Sequence, residues 1–245
     1  HADIPIILLT CNRPALLRET IKSLLSVRGV KTTGVLISQD GALAEIAEIA
    51  KESGLKLIQN TRGLRLRGGA AMDGAARIAQ HYKFSLTSAF DMFKDANSVI
   101  IIEDDLLFSP DMYEYLQYTS PILDADPTAF VVSAWSDNGF KDKVKDPYAL
   151  RRTDYFPGLG WLLTRRLYKD ELEPKWPLSH WDHWLRAPET SKHRDIIYPQ
   201  VSKCKMMKLF KEVIFLLSIL YFCHVYFLHY VVYITLYIKN IYNLS

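Results

Sequence analysis

Three acids stand side by side at Glu103-Asp104-Asp105, directly after the β-branched run of residues 98–102. Crowded carboxylates at the end of a buried strand disfavour one another's charged form unless something compensates them. A hard divalent cation does so, and an all-oxygen donor set suits Mg2+ or Mn2+. In open α/β sheets, ligands bind beyond the carboxyl ends of the strands, which is where these acids fall. The competing reading is a solvated turn that caps a following helix. Asp40, followed by Gly41, also ends a strand-like run, and Arg13 comes just after the first such run. Singly, each reads as a turn or capping residue. Together, three strand ends offering polar groups to one crevice point to a nucleotide pocket.

Other residues carry weaker signals. His81 lies within a helical pattern and reads first as a satisfied structural histidine. Arg62, Arg65 and Arg67, with Gly63, Gly68 and Gly69 among them, form a basic loop that suits phosphates, or else a solvated loop pinned by Leu64 and Leu66. Aromatic and turn-forming residues crowd residues 156–184: Phe156-Pro157-Gly158-Leu159-Gly160-Trp161, Pro174-Lys175-Trp176-Pro177 and Trp181-Asp182-His183-Trp184. Sugars offer flat apolar faces to rings and hydroxyls to carboxylates, so an Asp between tryptophans suits a carbohydrate site. Taken alone, core packing of the same tryptophans is the stronger reading.

These groups need elements to hold them. Residues 4–10 are almost wholly apolar, as in a strand buried on both faces, and Cys11 at their end is expected to be buried. Pro14 stands where a first helical residue loses nothing by lacking an N–H. Leu16, Leu17, Ile21, Leu24 and Leu25 follow at helical spacing. Residues 35–38, 55–58, 98–102 and 129–133 predict further strands, and residues 43–52 and 72–93 predict helices. The alternation predicts an α/β domain, a mostly parallel sheet flanked by helices.

At 245 residues the chain is long enough for one sizeable domain of this kind. Its net charge of +3 arises entirely in residues 204–245, which hold four Lys and one Glu. The remainder is balanced, so no basic stripe points to nucleic acid. Cys11, Cys204 and Cys223 are too few and too scattered for a disulfide framework or a zinc site. The chain begins at His1 and enters an apolar run within a few residues, so no signal peptide or N-terminal anchor is expected within it.

Residues 204–245 differ in kind and set a boundary after residue 203. The 26 residues 213–238 carry no formal charge, about 39 Å as a helix, which suffices to cross a bilayer core. Lys205, Lys208 and Lys211 precede them, as on the cytoplasmic side of a span. The same stretch lacks Gly, Ala, Pro and Arg, while Leu, Tyr, Ile, Phe, Lys and Asn fill 28 of its 42 positions. That bias towards AT-rich codons also fits translated non-coding sequence. Both readings stand.

Several longer motifs occur in a fixed order: Glu103-Asp104-Asp105, Ser133-Ala134-Trp135-Ser136-Asp137-Asn138-Gly139, Arg152-Thr153-Asp154-Tyr155-Phe156-Pro157-Gly158-Leu159-Gly160-Trp161-Leu162-Leu163, Glu171-Leu172-Glu173-Pro174-Lys175-Trp176-Pro177 and Trp181-Asp182-His183-Trp184. Over residues 3–203 the chain resembles glycosyltransferase family 13. The resemblance implies a GT-A fold and an inverting, Mn2+-dependent transfer of N-acetylglucosamine from UDP-GlcNAc to the 2-hydroxyl of an α-linked mannose. It implies a mannose-terminated glycan on a glycoprotein as acceptor, and a Golgi membrane location with the catalytic domain in the lumen. By position it implies Asp182 as catalytic base, Asp105 as Mn2+ ligand, and Arg13, Asp40, His81, Glu103, Asp104 and Trp181 as donor-binding residues.

Departures accompany the resemblance. Ser136 stands where the family has Asn. The family pattern continues well beyond the position of Ser202, including a loop that closes over the donor, and here the hydrophobic tail follows instead, so an incomplete catalytic domain is expected. Asn12-Arg13-Pro14 and residues 165–177 lean towards the family's O-mannose branch. Glu103-Asp104-Asp105 and residues 152–163 lean towards its N-glycan branch, which is favoured. A non-catalytic, membrane-anchored nucleotide- or carbohydrate-binding protein is the alternative from another functional class.

Overall fold

Five consecutive buried residues, Ile6–Thr10, form β1, and a strand with no polar face must be covered on both sides. A computed structural model describes residues 3–61, 73–140 and 142–207. The chain divides into two compact units, His1–Lys205 and Met206–Ser245. The second lies almost wholly outside the described residues, and the fold below is that of the first.

The first half is a run of strand–helix units. Helix α1 (Pro14–Leu25) opens on Pro14 and buries Leu17, Ile21 and Leu24. Strand β2 (Val35–Asp40) leads to α2 (Ala44–Ser53), which stops at Gly54 in the left-handed conformation, where glycine carries no Cβ penalty. Strand β3 (Lys56–Asn60) precedes α3 (Gly74–Met92), whose N-cap Asp73 accepts from the N–H of Ala76 at 2.7 Å. Strand β4 (Ser98–Glu103) is followed by the short β5 (Leu106–Phe108).

The second half is less regular. It runs through α4 (Met112–Thr119), α5 (Ile122–Ala125), β6 (Ala129–Ser133), β7 (Leu150–Thr153), β8 (Trp161–Thr164), α6 (Trp181–Arg186), α7 (Pro188–Ser191) and β9 (Asp195–Pro199). Eight strands make one sheet in the order β3-β2-β1-β4-β8-β6-β9-β7. Pairings are parallel from β3 through β4 and between β6 and β9; β8 runs antiparallel to both neighbours, and β7 is antiparallel to β9. The sheet is therefore mixed and mostly parallel, as the alternating pattern predicts.

The expected strands and helices of residues 4–102 fall on β1 to β4 and α1 to α3, and the expected strand at 129–133 coincides with β6. Residues 161–164, foreseen only as part of an aromatic motif, form the antiparallel strand that joins the two halves. The chain turns into it through Gly158 and Gly160, both at positive φ. A Cβ on Gly160 would also come within 3.2 Å of Cys204 Sγ, so this turn requires glycine on two counts.

Aromatic residues fill the core on the α3 side. Phe156, Trp161, Tyr168, Trp176 and Trp181 are all buried beside Phe90 and Tyr82. The basic loop at Arg62, Arg65 and Arg67 and the hydrophobic tail at 213–238 lie outside the described residues. Among the described residues, no helix is long and apolar enough to cross a membrane.

Candidate functional site

Strand order reverses at β1, because β2 pairs on one side and β4 on the other. That is the switch point at which an open sheet leaves a crevice beyond its carboxyl edge. The register sets Thr10 opposite Gln39 and Leu9 opposite Glu103. Below the crevice, Gln39 Nε2 donates to the carbonyl of Cys11 at 3.1 Å, and Gln59 Nε2 donates to Gln39 Oε1 at 2.9 Å. A cleft of about 410 Å³ lies here, lined among others by Thr10, Cys11, Arg13, Asp40, His81, Tyr82, Glu103 and Asp104.

The acid trio is not a solvated turn. Asp104 and Asp105 are buried, and β5 follows them where a helix was the competing expectation. The three carboxylates find different partners. Glu103 accepts from the hydroxyl of Tyr82. Asp104 accepts from Thr10 Oγ1 at 2.6 Å and from Arg13. Asp105 Oδ2 accepts from Arg13 at 2.9 Å, while its Oδ1 is buried with no hydrogen-bond partner. Burial pushes the carboxyls of Glu103 and Asp104 above the usual range. The Tyr82 hydrogen bond opposes this at Glu103, as Thr10 and Arg13 do at Asp104.

Arg13 thus supplies part of the compensation that the crowded acids require. Sequence position assigned it to the donor; its guanidinium lines the cleft while bridging Asp104 and Asp105. Asp40 takes a longer contact from Arg77 at 3.3 Å. Cys11, expected to be buried, is half-exposed on the cleft. Burial and then the charge of Asp40 raise its thiol above the ordinary value.

His81, expected as a helical residue with structural duty, is buried in the cleft wall. Its Nε2 lies 3.1 Å from the carbonyl of Ser38, so Nε2 holds the proton, and its Nδ1 is buried without a partner. Burial lowers its pKa, against the pull of Asp40 and the Ser38 carbonyl. Folding therefore favours the neutral ring. Above about pH 6.5 the ring is neutral in both states and costs nothing. As pH falls through that value, only the unfolded chain takes up the proton, and stability is lost until the folded ring titrates too. Urea unfolding between pH 7.5 and 5 should show this loss, at most about 1.4 kcal/mol per pH unit. His81→Gln should flatten that segment of the curve, and an unchanged or steeper slope would refute the assignment.

Asp182 and Trp181 are not on the lining of this cleft. Trp181, expected to face a sugar, is buried in the aromatic core. It stacks on Tyr82 at 4.0 Å and packs against Trp161, Phe156 and Trp176 at 5.9 to 6.2 Å. The large apolar area of the indole is better satisfied there. Asp182 is the next residue on α6 and is partly open, with a side chain 36% exposed. Burial nudges its pKa upward, but the hydrogen bonds from Arg186 and the His183 N–H, with their charges, bring it below the usual carboxylate value. The residue before Trp181, His180, holds φ 50° and ψ 47°, an uncommon conformation for a side chain with a Cβ.

Tyr82 is a group that sequence reasoning missed. Its ring backs onto Trp181, its hydroxyl holds Glu103, and its pKa is raised by burial and then by the charges of Glu103, Asp105 and Asp182. It therefore connects the acid trio to the helix that carries Asp182. Only its position next to His81 marked it in the sequence.

A mixed, mostly parallel sheet with an acid-lined crevice at its switch point defines a GT-A-type α/β fold. Solved structures share it: TarS residues 1–349 of S. aureus in complex with UDP, at TM-score 0.51 and 14% identity, covers 81% of this chain and 58% of that one. The mannosyltransferase PcManGT of Pyrobaculum calidifontis, in complex with GDP-Man and Mn2+, matches at TM-score 0.50 and 15% identity over 82% of this chain and 59% of that one. The chain belongs to the GNT-I family, whose model matches residues 1–213. It is 38% identical over 208 residues to the alpha-1,3-mannosyl-glycoprotein 2-beta-N-acetylglucosaminyltransferase of Arabidopsis thaliana. That match covers 81% of this chain and 45% of the relative, so the chain spans less than half of that protein's length.

Proposed function

We propose that this chain carries the donor site and catalytic base of an inverting transferase that moves N-acetylglucosamine from UDP-GlcNAc to the 2-hydroxyl of an α-linked mannose in N-glycan processing. The observation that carries the reading is the cleft where the ends of β1, β2 and β4 gather Arg13, Asp40, Glu103 and Asp104, beside His81 from α3. Family membership and the name of the Arabidopsis relative support the sugar and the N-glycan acceptor over the O-mannose one.

In this reading Arg13, Asp40, His81, Glu103 and Asp104 bind the donor, and Trp181 acts from behind by backing Tyr82. Asp182, ionised at neutral pH, accepts the proton of the acceptor hydroxyl. The hydroxyl oxygen attacks the anomeric carbon as the bond to UDP breaks, and a single displacement turns the donor's α linkage into β. Asp105 is not on the cleft lining, but its buried, partnerless Oδ1 is a hard donor, and Mn2+ or Mg2+ is commonly held by one or two carboxylates together with substrate phosphates. Asp105 would therefore hold Mn2+, which when bound neutralises charge on the diphosphate leaving group. The same reading assigns the protein to the Golgi membrane with this domain in the lumen; co-localisation of a tagged protein with a Golgi marker tests that.

Transfer of GlcNAc from UDP-GlcNAc to an α-mannoside with Mn2+ present is the direct test. Binding of UDP without transfer would make the protein a nucleotide-binding module, and failure of both would remove the site. The cation has a separate test in stability. Arg13→Gln removes the partner of two buried carboxylates, a loss of about 2 kcal/mol once the one-third exposure of Arg13 is discounted. Millimolar Mn2+ should raise the melting temperature of Arg13→Gln more than that of the native protein. Equal or absent shifts would argue against a cation at Asp105.

A further inference from the structure

Arg186 closes α6 one turn after Asp182, and its guanidinium is held at three points. Its Nη1 donates to Asp182 Oδ2 at 2.7 Å, and its Nε donates to the carbonyl of Phe156 at 2.9 Å. Its carbon centre lies 4.7 Å from the middle of the Tyr155 ring. An ordinary surface pair at this spacing on a helix fixes little. This one is anchored outside its helix, because Phe156 is fully buried and packs edge-on against Trp161 at 4.9 Å, the first residue of β8. The carboxylate of Asp182 is thereby referred to the central sheet as well as to a six-residue helix.

We propose that Arg186 is a positioning residue that fixes the rotamer and the ionised state of Asp182, with the guanidinium seated over the Tyr155 ring. The proposal rests on Asp182 being the catalytic base. Only a planar fork can do this, since it donates from two nitrogens in different directions and still covers a ring, which an ammonium does not. Oδ2 of the carboxylate is held by Arg186, which restricts its rotation. The neighbouring charges are few. His183 Nε2 from the same helix lies 4.0 Å from Oδ2. Tyr82 from α3 is close enough to feel the carboxylate, with Glu103 bonded to its hydroxyl. Burial works to raise the pKa of Asp182, and the hydrogen bond from Arg186 is the largest influence that brings it below the usual carboxylate range.

The test compares Arg186→Gln, Arg186→Lys and Asp182→Asn in the full chain, by GlcNAc transfer across pH with UDP-GlcNAc and an α-mannoside. Arg186→Gln should lower kcat by about 10- to 100-fold, the scale of a small misplacement at the reacting centre. KM for UDP-GlcNAc should stay unchanged, and the acidic limb of the kcat profile should move to higher pH. Arg186→Lys keeps the charge and should restore most of the acidic limb but little of kcat. If Arg186→Gln proves unstable by its melting curve, the Lys variant decides alone. Native kcat and an unmoved acidic limb in a folded Arg186 variant overturn the proposal while leaving the base assignment intact. Full activity in Asp182→Asn overturns the assignment on which it rests.

Discussion

Asp182→Asn is expected to stop GlcNAc transfer while UDP binding persists. The carboxylate is outside the cleft lined by Arg13, Asp40, His81, Glu103 and Asp104, so its charge is not needed to seat the nucleotide. It is half-open, ionised and tied to Arg186, as a group that must receive a proton from an incoming hydroxyl should be. Asn keeps the shape and removes the basicity. The loss expected for a general base is about 10²–10⁴-fold in kcat, measured by transfer to an α-mannoside. Calorimetry with UDP and Mn2+ on the same variant should give native affinity. Joint loss of binding and turnover would move Asp182 into the donor site, and retained turnover would remove it from the chemistry.

The second large effect is on stability. Trp181→Ala should cost about 3–5 kcal/mol, the range for emptying the space of a buried large aromatic. That is a major share of the ~5–15 kcal/mol that holds a typical domain together. The indole stacks on Tyr82 at 4.0 Å and meets Trp161, Trp176 and Phe156, so no neighbour can fill the gap without leaving its own place. Trp181→Phe should recover part of the loss. Denaturant unfolding of both variants measures it. A native midpoint with a raised KM for the donor would mean that Trp181 faces the sugar and is not a core residue.

The first half of the sheet was legible because β1 and β4 are buried on both faces and so read as nearly unbroken apolar runs, Ile6–Thr10 and Ser98–Glu103. The ends of those runs also marked Arg13, Asp40 and the acid trio, because charged residues begin where the buried strands stop. The second half gave no such signal. Strand β7, Leu150–Thr153, is polar and largely exposed at the sheet edge, and β8 is only four residues long, too short to separate from its aromatic surroundings. Trp181 misled for a related reason: tryptophan near an Asp suits both a sugar and a core, and composition cannot tell the two apart. Tyr82 and Arg186 escaped notice because each matters through a partner more than twenty residues away or through a backbone carbonyl. The i,i+4 spacing of Asp182 and Arg186 is a local signal, but it does not show the anchor at Phe156.

The place of β8 has a consequence for the order in which this protein can be built. Strands β1 to β4 all come from the first 103 residues, with β2 between β1 and β3 and with β4 returning to pair with β1. The cleft edge that holds Arg13 and Asp40 can thus form while the rest of the chain is still being synthesised. Strand β8 enters between β4 and β6 only after Trp161 has been made, and β9 must then return to pair with β6. The Asp182 side of the site is therefore the later half to assemble, docking onto a nucleotide-side edge that is already in place.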